Sequence, residues 1–211
     1  MVTPQEKMYQ KSAEHIIKQL KKRNMEGFYF KSSTECVDYI ASHMEENATF
    51  STGGSMTLRE IGLTDRLKKT HPFIDRKAAQ TPEESRKIYS QIVMADYFLM
   101  STNAITLNGE LVNIDGLGNR VACLTYGPKE VLIVAGMNKV TADLETAYSR
   151  VRNFSAPTNA IRLDCKTPCA ATGLCGHCHS DDCVCSQIVV TRHSRPTGRI
   201  KVFLIGESLG Y

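Results

Sequence analysis

An α/β fold with a mainly parallel sheet is what this sequence predicts, and three observations carry the prediction. Apolar runs of strand length alternate with amphipathic helical stretches along the whole chain, the order in which βαβ units are written. One run, Val131–Ala135 within VLIVAG, is continuously apolar rather than alternating, which suits a strand covered on both faces. Gly, Asn and Asp mark the places where the chain must turn.

Composition bounds the rest. The 211 residues are enough for one domain of ordinary size, and 42% hydrophobic with 23% charged residues is the balance of a soluble globular chain. The net charge of +4 is mild. The densest basic cluster, Lys18–Arg23, falls on a predicted helix and reads as a solvated face. No basic stripe is interleaved with aromatics, which argues against nucleic acid as a partner. No apolar run reaches the roughly 18 residues of a membrane span. The opening MVTPQEKMYQKSAEH lacks an apolar signal core, so a cytoplasmic location is expected.

Taken in order, residues 4–23 place Ala13, Ile16, Ile17 and Leu20 at helical spacing. Phe28–Phe30 reads as a strand. Ser33 or Thr34 caps a second helix with Val37, Ile40, Ala41 and Met44 on its apolar face. Ala48–Ser51 is the next strand, followed by STGGSMTLREIG. Thr81-Pro82-Glu83-Glu84 opens a helix to about Met94 with a cap, a proline in the first turn and acids at the positive dipole end. That helix should bury Ile88, Ile92 and Val93. Tyr97–Met100, Glu110–Ile114, Val121–Thr125 and Val131–Ala135 read as β runs. Thr141 should cap a helix over Asp143–Val151 with Leu144, Ala147 and Tyr148 inward. Gln187–Thr191 and Ile200–Gly206 supply the last strands.

Two stretches invite a functional reading. In the first, Gly53 and Gly54 follow a strand, and Ser55 and Thr57 open a helix. Such a loop can hold an anion through hydroxyls and free N–H groups, and it can equally be a capped strand–helix turn. In the second, which opens at the further candidate Asn103, the residues Asn113, Asp115, Asn119 and Arg120 sit around Gly116 and Gly118, four hydrogen-bonding side chains within eight residues where a turn needs one or two. Asn138 and Lys139 follow the VLIVAG run, where ligands gather at the carboxyl ends of strands.

GGSMTLREIG and NAITLNGELVNIDGLGNRVA…YGPKEVLIVAGMNK together resemble the LUD (lactate-utilisation) domain, a family first catalogued as of unknown function. The resemblance extends through TPCAATGLCGHCHSDDCVC to GRIKVFLIGESLGY and so covers nearly all of residues 1–211 as one domain. It implies a three-layer α/β/α sandwich similar to the ribose-phosphate isomerase, glucosamine-phosphate deaminase and coenzyme A transferase group. Gly53, Gly54, Ser55 and Thr57 match the loop with which that group holds a phosphate or related anion. The group's transferases use a Glu nucleophile, for which Glu110 is the candidate here. Its isomerases pair an acid with a lysine, for which Asp115 and Lys139 are available. Neither set sits in the motif of those enzymes.

Six of the eight cysteines fall between Cys165 and Cys185, in a segment (164–186) placed before the last strands. In a reducing compartment such a cluster is more often a metal site than a disulfide framework. The resemblance implies Cys169, Cys175, Cys178 and Cys185 as the ligand set, with Cys165 and Cys183 as extras. Four thiolates suit zinc and an iron–sulfur cluster alike, and the spacing does not choose between them. Free thiols, or disulfides formed in air, are the alternative. The isolated Cys36 and Cys123 read as core residues.

Three functions follow. The first is a lactate-utilisation-type protein with an accessory or electron-transfer role in organic acid oxidation, working with other subunits. The second is a small-molecule enzyme of the sugar-phosphate isomerase or coenzyme A transferase type with structural zinc. The third is a non-catalytic ligand-binding or assembly subunit. Each leaves a small phosphate- or carboxylate-bearing anion as the expected ligand.

Overall fold

The computed structural model describes residues 2–211. Helix α1 (Pro4–Lys22) begins where the sequence supplies a cap and a proline. The Thr3 hydroxyl accepts from the Glu6 N–H, and the Glu6 carboxylate accepts from the Thr3 N–H. It buries Ala13, Ile16 and Leu20 and delivers the chain to β1 (Glu26–Phe30). Helix α2 (Ser33–His43) is capped one residue earlier than expected, by Ser32, and buries Cys36 and Ile40. Then come β2 (Phe50–Thr52) and two short helices, α3 (Met56–Glu60) and α4 (Leu63–Leu67). Helix α5 (Pro82–Val93) starts at the predicted Thr81 capping box; Ile92 is buried, and Ile88 and Val93 are half-buried.

Next in order are β3 (Tyr97–Met100), β4 (Ala104–Thr106), β5 (Leu111–Asp115), α6 (Asn119–Thr125), β6 (Glu130–Gly136) and β7 (Val140–Thr141). Helix α7 (Leu144–Arg150) runs through a π-helical turn, Val151–Ser155, into α8 (Ala156–Arg162). Helix α9 (Pro168–Thr172), β8 (Gln187–Thr191) and β9 (Ile200–Ile205) follow.

The central sheet has the order β1-β9-β6-β3-β2, and every neighbouring pair in it is parallel. The VLIVAG run is β6, in the middle, as its unbroken apolarity requires. Alternation along that strand sorts the core. Val131, Ile133 and Ala135 face α1, α5 and α6, and Leu132 and Val134 face α2, α3 and α4. Helices on both faces of a parallel sheet give the expected three layers.

A second sheet, β7-β4-β5-β8, was not expected. Its β4–β5 and β5–β8 pairs are antiparallel, which makes the whole fold mixed. Ala104, Val112 and Ile114 on this sheet pack against Ala147, Val151 and Ala156.

Three sequence expectations are corrected here. Val121–Thr125 is helix α6, not a strand. Gly118 sits in the left-handed region (φ 81°) and turns the chain, the Asp115 carboxylate accepts from the Val121 N–H, and the buried pair Val121 and Leu124 has helical spacing. Asp143, not Thr141, caps α7, and that helix buries Ala147 while Leu144 and Tyr148 are exposed. Arg23 does not belong to a solvated face: its guanidinium donates to the Glu110 carboxylate and to the carbonyls of Asn108 and Arg192. Cys36 and Cys123 are buried core residues, and burial raises both thiol pKa values, to about 12 and about 11. No helix among the described residues is long and apolar enough to cross a membrane.

Candidate functional site

A parallel sheet sends every strand to the same end, so the residues just after β2, β3 and β6 meet above one edge. There the chain lines a cleft of about 600 Å³ that is open to solvent on one side. Gly53, Gly54 and Ser55 after β2 line it, as do Ser101, Thr102 and Asn103 after β3 and Lys139 after β6. The second sheet adds Asp115, and α6 adds Asn119 and Arg120. Residues absent from the sequence reading also line it, Ser155 and Ala156 at the π-helical turn and the last residue, Tyr211.

Lys139 is the distinctive group. Its side chain is 2% exposed, and its Nζ donates to Thr57 Oγ1 and Ser101 Oγ, both at 2.9 Å. No carboxylate forms an ion pair with it among the described residues. Burial, then the neighbouring charges of Arg150 and Arg120, lower its pKa to about 7, against a weaker opposing effect of Glu60. Thr57 is therefore not a ligand-facing hydroxyl, as the anion-loop reading had it. It is fully buried, donates to the Leu209 carbonyl and receives Lys139. Gly210, at φ 56°, lies against the same threonine, with no room for a Cβ. Ser55 caps the five-residue α3 through the Leu58 N–H and also lines the cavity.

Arg120 is spent on structure. Its Nη1 donates to the Ser101 carbonyl (3.2 Å) and Asn113 Oδ1 (2.7 Å), and its Nη2 to Asn103 Oδ1 (3.0 Å) and the Ile114 carbonyl (2.7 Å). Asp115 stands 3.8 Å from its Nε. Most of the polar crowding around Gly116 is thus a network that ties the second sheet to β3. Gly53 is required here, because a Cβ would come within 3.0 Å of the Arg120 side chain. Asn119 donates to the Tyr89 hydroxyl.

Asn113 is buried behind the network, and Asn138 points away, holding Leu209 N–H and Gly210 carbonyl. Glu110 lies outside the cavity, paired with Arg23 and accepting from Thr106. Two cations missed in the sequence matter more. Arg76 lines the cavity beside Gly54, and Arg150, 47 residues from its carbonyl partner Asn103, also donates to Ser155 Oγ at 2.8 Å.

The cysteine segment forms the outer wall. Cys165 and Cys183 line the cavity, and the backbone at Cys183–Val184 passes so close to Gly116 that a Cβ there would meet it at 3.3 Å. Burial, then the neighbouring Cys183, Cys178 and Cys175, raise the Cys185 thiol. Cys169 instead sits near Cys165 and contacts Thr167 at 3.3 Å. Arg152 donates to Cys175 Sγ at 3.2 Å. Among the described residues no three His, Cys, Asp or Glu side chains stand in a metal-holding arrangement.

No curated protein matches the chain. A crystal structure of a DUF162 family protein from Deinococcus radiodurans is similar over 94% of this chain and 98% of its own, at 9% identity and a TM-score of 0.57, a likeness of fold. Partial likenesses, at 16% identity, include eIF2B delta from Chaetomium thermophilum, over 56% of this chain and 50% of its own with a TM-score of 0.37. Ribose 5-phosphate isomerase from Plasmodium falciparum matches 52% of each chain with a TM-score of 0.33. The LUD domain family matches residues 13–205, nearly the whole sequence, and the chain belongs to that family.

Proposed function

We propose that this is a lactate-utilisation-type protein that binds a small organic anion, carboxylate- or phosphate-bearing, in the cavity above β2, β3 and β6. It serves organic acid oxidation in an accessory or electron-transfer role, alongside other subunits. The observation that carries the reading is Lys139, a buried amine without a carboxylate partner at the carboxyl end of a central parallel strand. A bound anion supplies the missing countercharge and draws a proton onto the amine. Affinity is therefore greatest below the free-site pKa of about 7 and falls by up to about tenfold per pH unit above it. Calorimetry with L-lactate, pyruvate and inorganic phosphate at pH 6 to 9 checks this (the pH limits are about one unit either side of the titration and beyond). Failure of all three to bind, or binding that ignores pH and survives Lys139→Met, rejects the site.

The cysteine segment is proposed to hold zinc or an iron–sulfur cluster. The donors are soft thiolates, and Cys175, Cys178 and Cys183 already act electrostatically on Cys185. The family resemblance implies Cys169 as the fourth ligand, and Cys183, which acts on Cys185, is the alternative. Residues 164–186 contain few large apolar side chains, Leu174 and Val184 among them, too few to offset an ordering cost of about 1–2 kcal/mol per residue. A metal cross-link would order them. Cys175→Ser and Cys178→Ser are expected to lose the metal and open this segment to limited proteolysis, while the α/β body resists. Comparing Cys169→Ser with Cys183→Ser identifies the fourth ligand, and visible absorption of anaerobically prepared protein separates a cluster from zinc. If metal-free wild type resists protease as well as the loaded form, the metal is not what orders the segment.

A further inference from the structure

We propose that Ser101 and Lys139 form a nucleophile–base pair that cleaves an ester or thioester of a small carboxylic acid inside the cavity. The inference rests on the reading of the cavity as an organic-anion site, and the carboxylate bound there is then the product of the reaction.

The geometry of the pair is specific. Ser101 is the first residue after β3 and Lys139 follows β6, its parallel neighbour, so two adjacent strands fix the side chains from below. Both side chains line the cavity, and Nζ and Oγ are 2.9 Å apart. Thr57 sets the polarity of the contact. Its hydroxyl proton is directed to the Leu209 carbonyl, so toward Lys139 it can only accept. In the resting arrangement Nζ donates to Ser101 Oγ, and the Ser101 hydroxyl donates to the Thr102 carbonyl at 3.3 Å; a neutral lysine that keeps its N–H on Thr57 accepts the Ser101 proton once that hydroxyl turns from the carbonyl. Arg150 and Arg120 favour that neutral form, and Glu60 opposes it. Arg120 is a positioning residue for the pair, since it donates to the Ser101 carbonyl. An amine with a pKa close to neutrality, in hydrogen-bond reach of a hydroxyl, meets the general requirement for a base.

The step balances as follows. Ser101 Oγ bonds to the acyl carbon while its proton passes to Lys139 Nζ. The carbon–oxygen or carbon–sulfur bond of the substrate then breaks, and the leaving alkoxide or thiolate takes that proton. Water attacks the acyl-serine, gives a proton to Lys139, and the ester to Ser101 breaks as Oγ recovers it. The sum is ester or thioester plus water giving acid plus alcohol or thiol, with no oxidant or reductant. Arg76, on the same wall, is available to the anionic part of a substrate.

The probe is p-nitrophenyl acetate. Wild-type protein is expected to release a stoichiometric burst of nitrophenol and to carry one acetyl group on Ser101 by peptide mapping. The acylation rate should rise with pH through about 7, as Lys139 loses its proton. Ser101→Ala should abolish the burst and the adduct, and Lys139→Met should slow acylation about 10²–10⁴-fold, the usual contribution of a general base. Phosphate binding, followed by calorimetry in Ser101→Ala, separates the two readings. Binding without any acyl-serine overturns the dyad and leaves the anion site standing. Acyl-serine without phosphate or lactate binding does the reverse. Acetylation confined to a cysteine, or a borohydride-trapped pyruvate adduct on Lys139, also overturns the dyad, since either makes a different group the nucleophile.

Discussion

Arg120→Ala is expected to cost about 3–5 kcal/mol of folding stability, the range for breaking a buried charge from its partners. The side chain is only 13% exposed, and it satisfies the Ser101 and Ile114 carbonyls and the side-chain oxygens of Asn103 and Asn113. Alanine takes this donor from the Ser101 and Ile114 carbonyls and from Asn113 Oδ1, while Asn103 Oδ1 keeps the Ile114 N–H and the Asp115 carboxylate keeps the Gly116 and Val121 N–H groups. For a chain of this size the loss corresponds to a fall in Tm of about 6–20 °C. Arg120→Lys keeps the charge but lacks the planar fork of donors, so it should recover less than half of the loss. Urea denaturation of the three proteins measures this directly. A change below about 1 kcal/mol for the alanine variant would show the network to be surface-like in its energetics.

Lys139→Met should flatten the pH dependence of stability between about pH 7 and 10.5. In the folded protein the amine titrates near 7, and in the unfolded chain near 10.5. Between those values the unfolded chain holds the extra proton, so stability rises with pH across the window and is lost as pH falls through 7. The slope approaches about 1.4 kcal/mol per pH unit, or about 5 kcal/mol over the whole window. Below about 7 and above about 10.5 the contribution is flat. Methionine carries no such proton, so the difference between wild type and variant isolates this group from every other titration. Wild type should gain on the variant steadily from pH 7 to 10, in buffers free of phosphate and carboxylates, whose binding would restore the proton. Parallel stability curves would mean that Lys139 is charged in the folded state and has a countercharge.

The sequence by itself determined the layers of this molecule. Burial leaves a local signature: VLIVAG had to be a doubly covered strand, and Thr81-Pro82-Glu83-Glu84 had to start a helix, because a few adjacent residues satisfy the requirement alone. The same rule drew attention to Lys139 just past the carboxyl end of β6, where it lines the cavity. Ser101, which follows β3 in just that way, was legible by the same argument and was missed. Helix α6 was misread because Val121 and its neighbours have strand-like composition, and the turn at Gly118 and the Asp115 carboxylate decide otherwise.

What only the tertiary structure decided is which polar groups face the cavity and which face one another. Arg120 and Asn103 are 17 residues apart and Lys139 and Thr57 are 82 apart, so no periodicity records their contact. Thr57, Asn138 and Glu110 have the residue types of a site, yet each is spent on a structural partner. A hydroxyl or a carboxylate looks the same in a sequence whether it binds a ligand or holds a loop. The difference is the position of a neighbour folded in from elsewhere, and the lowered pKa of Lys139 exists only because Arg150, Arg120 and the core arrive around it together.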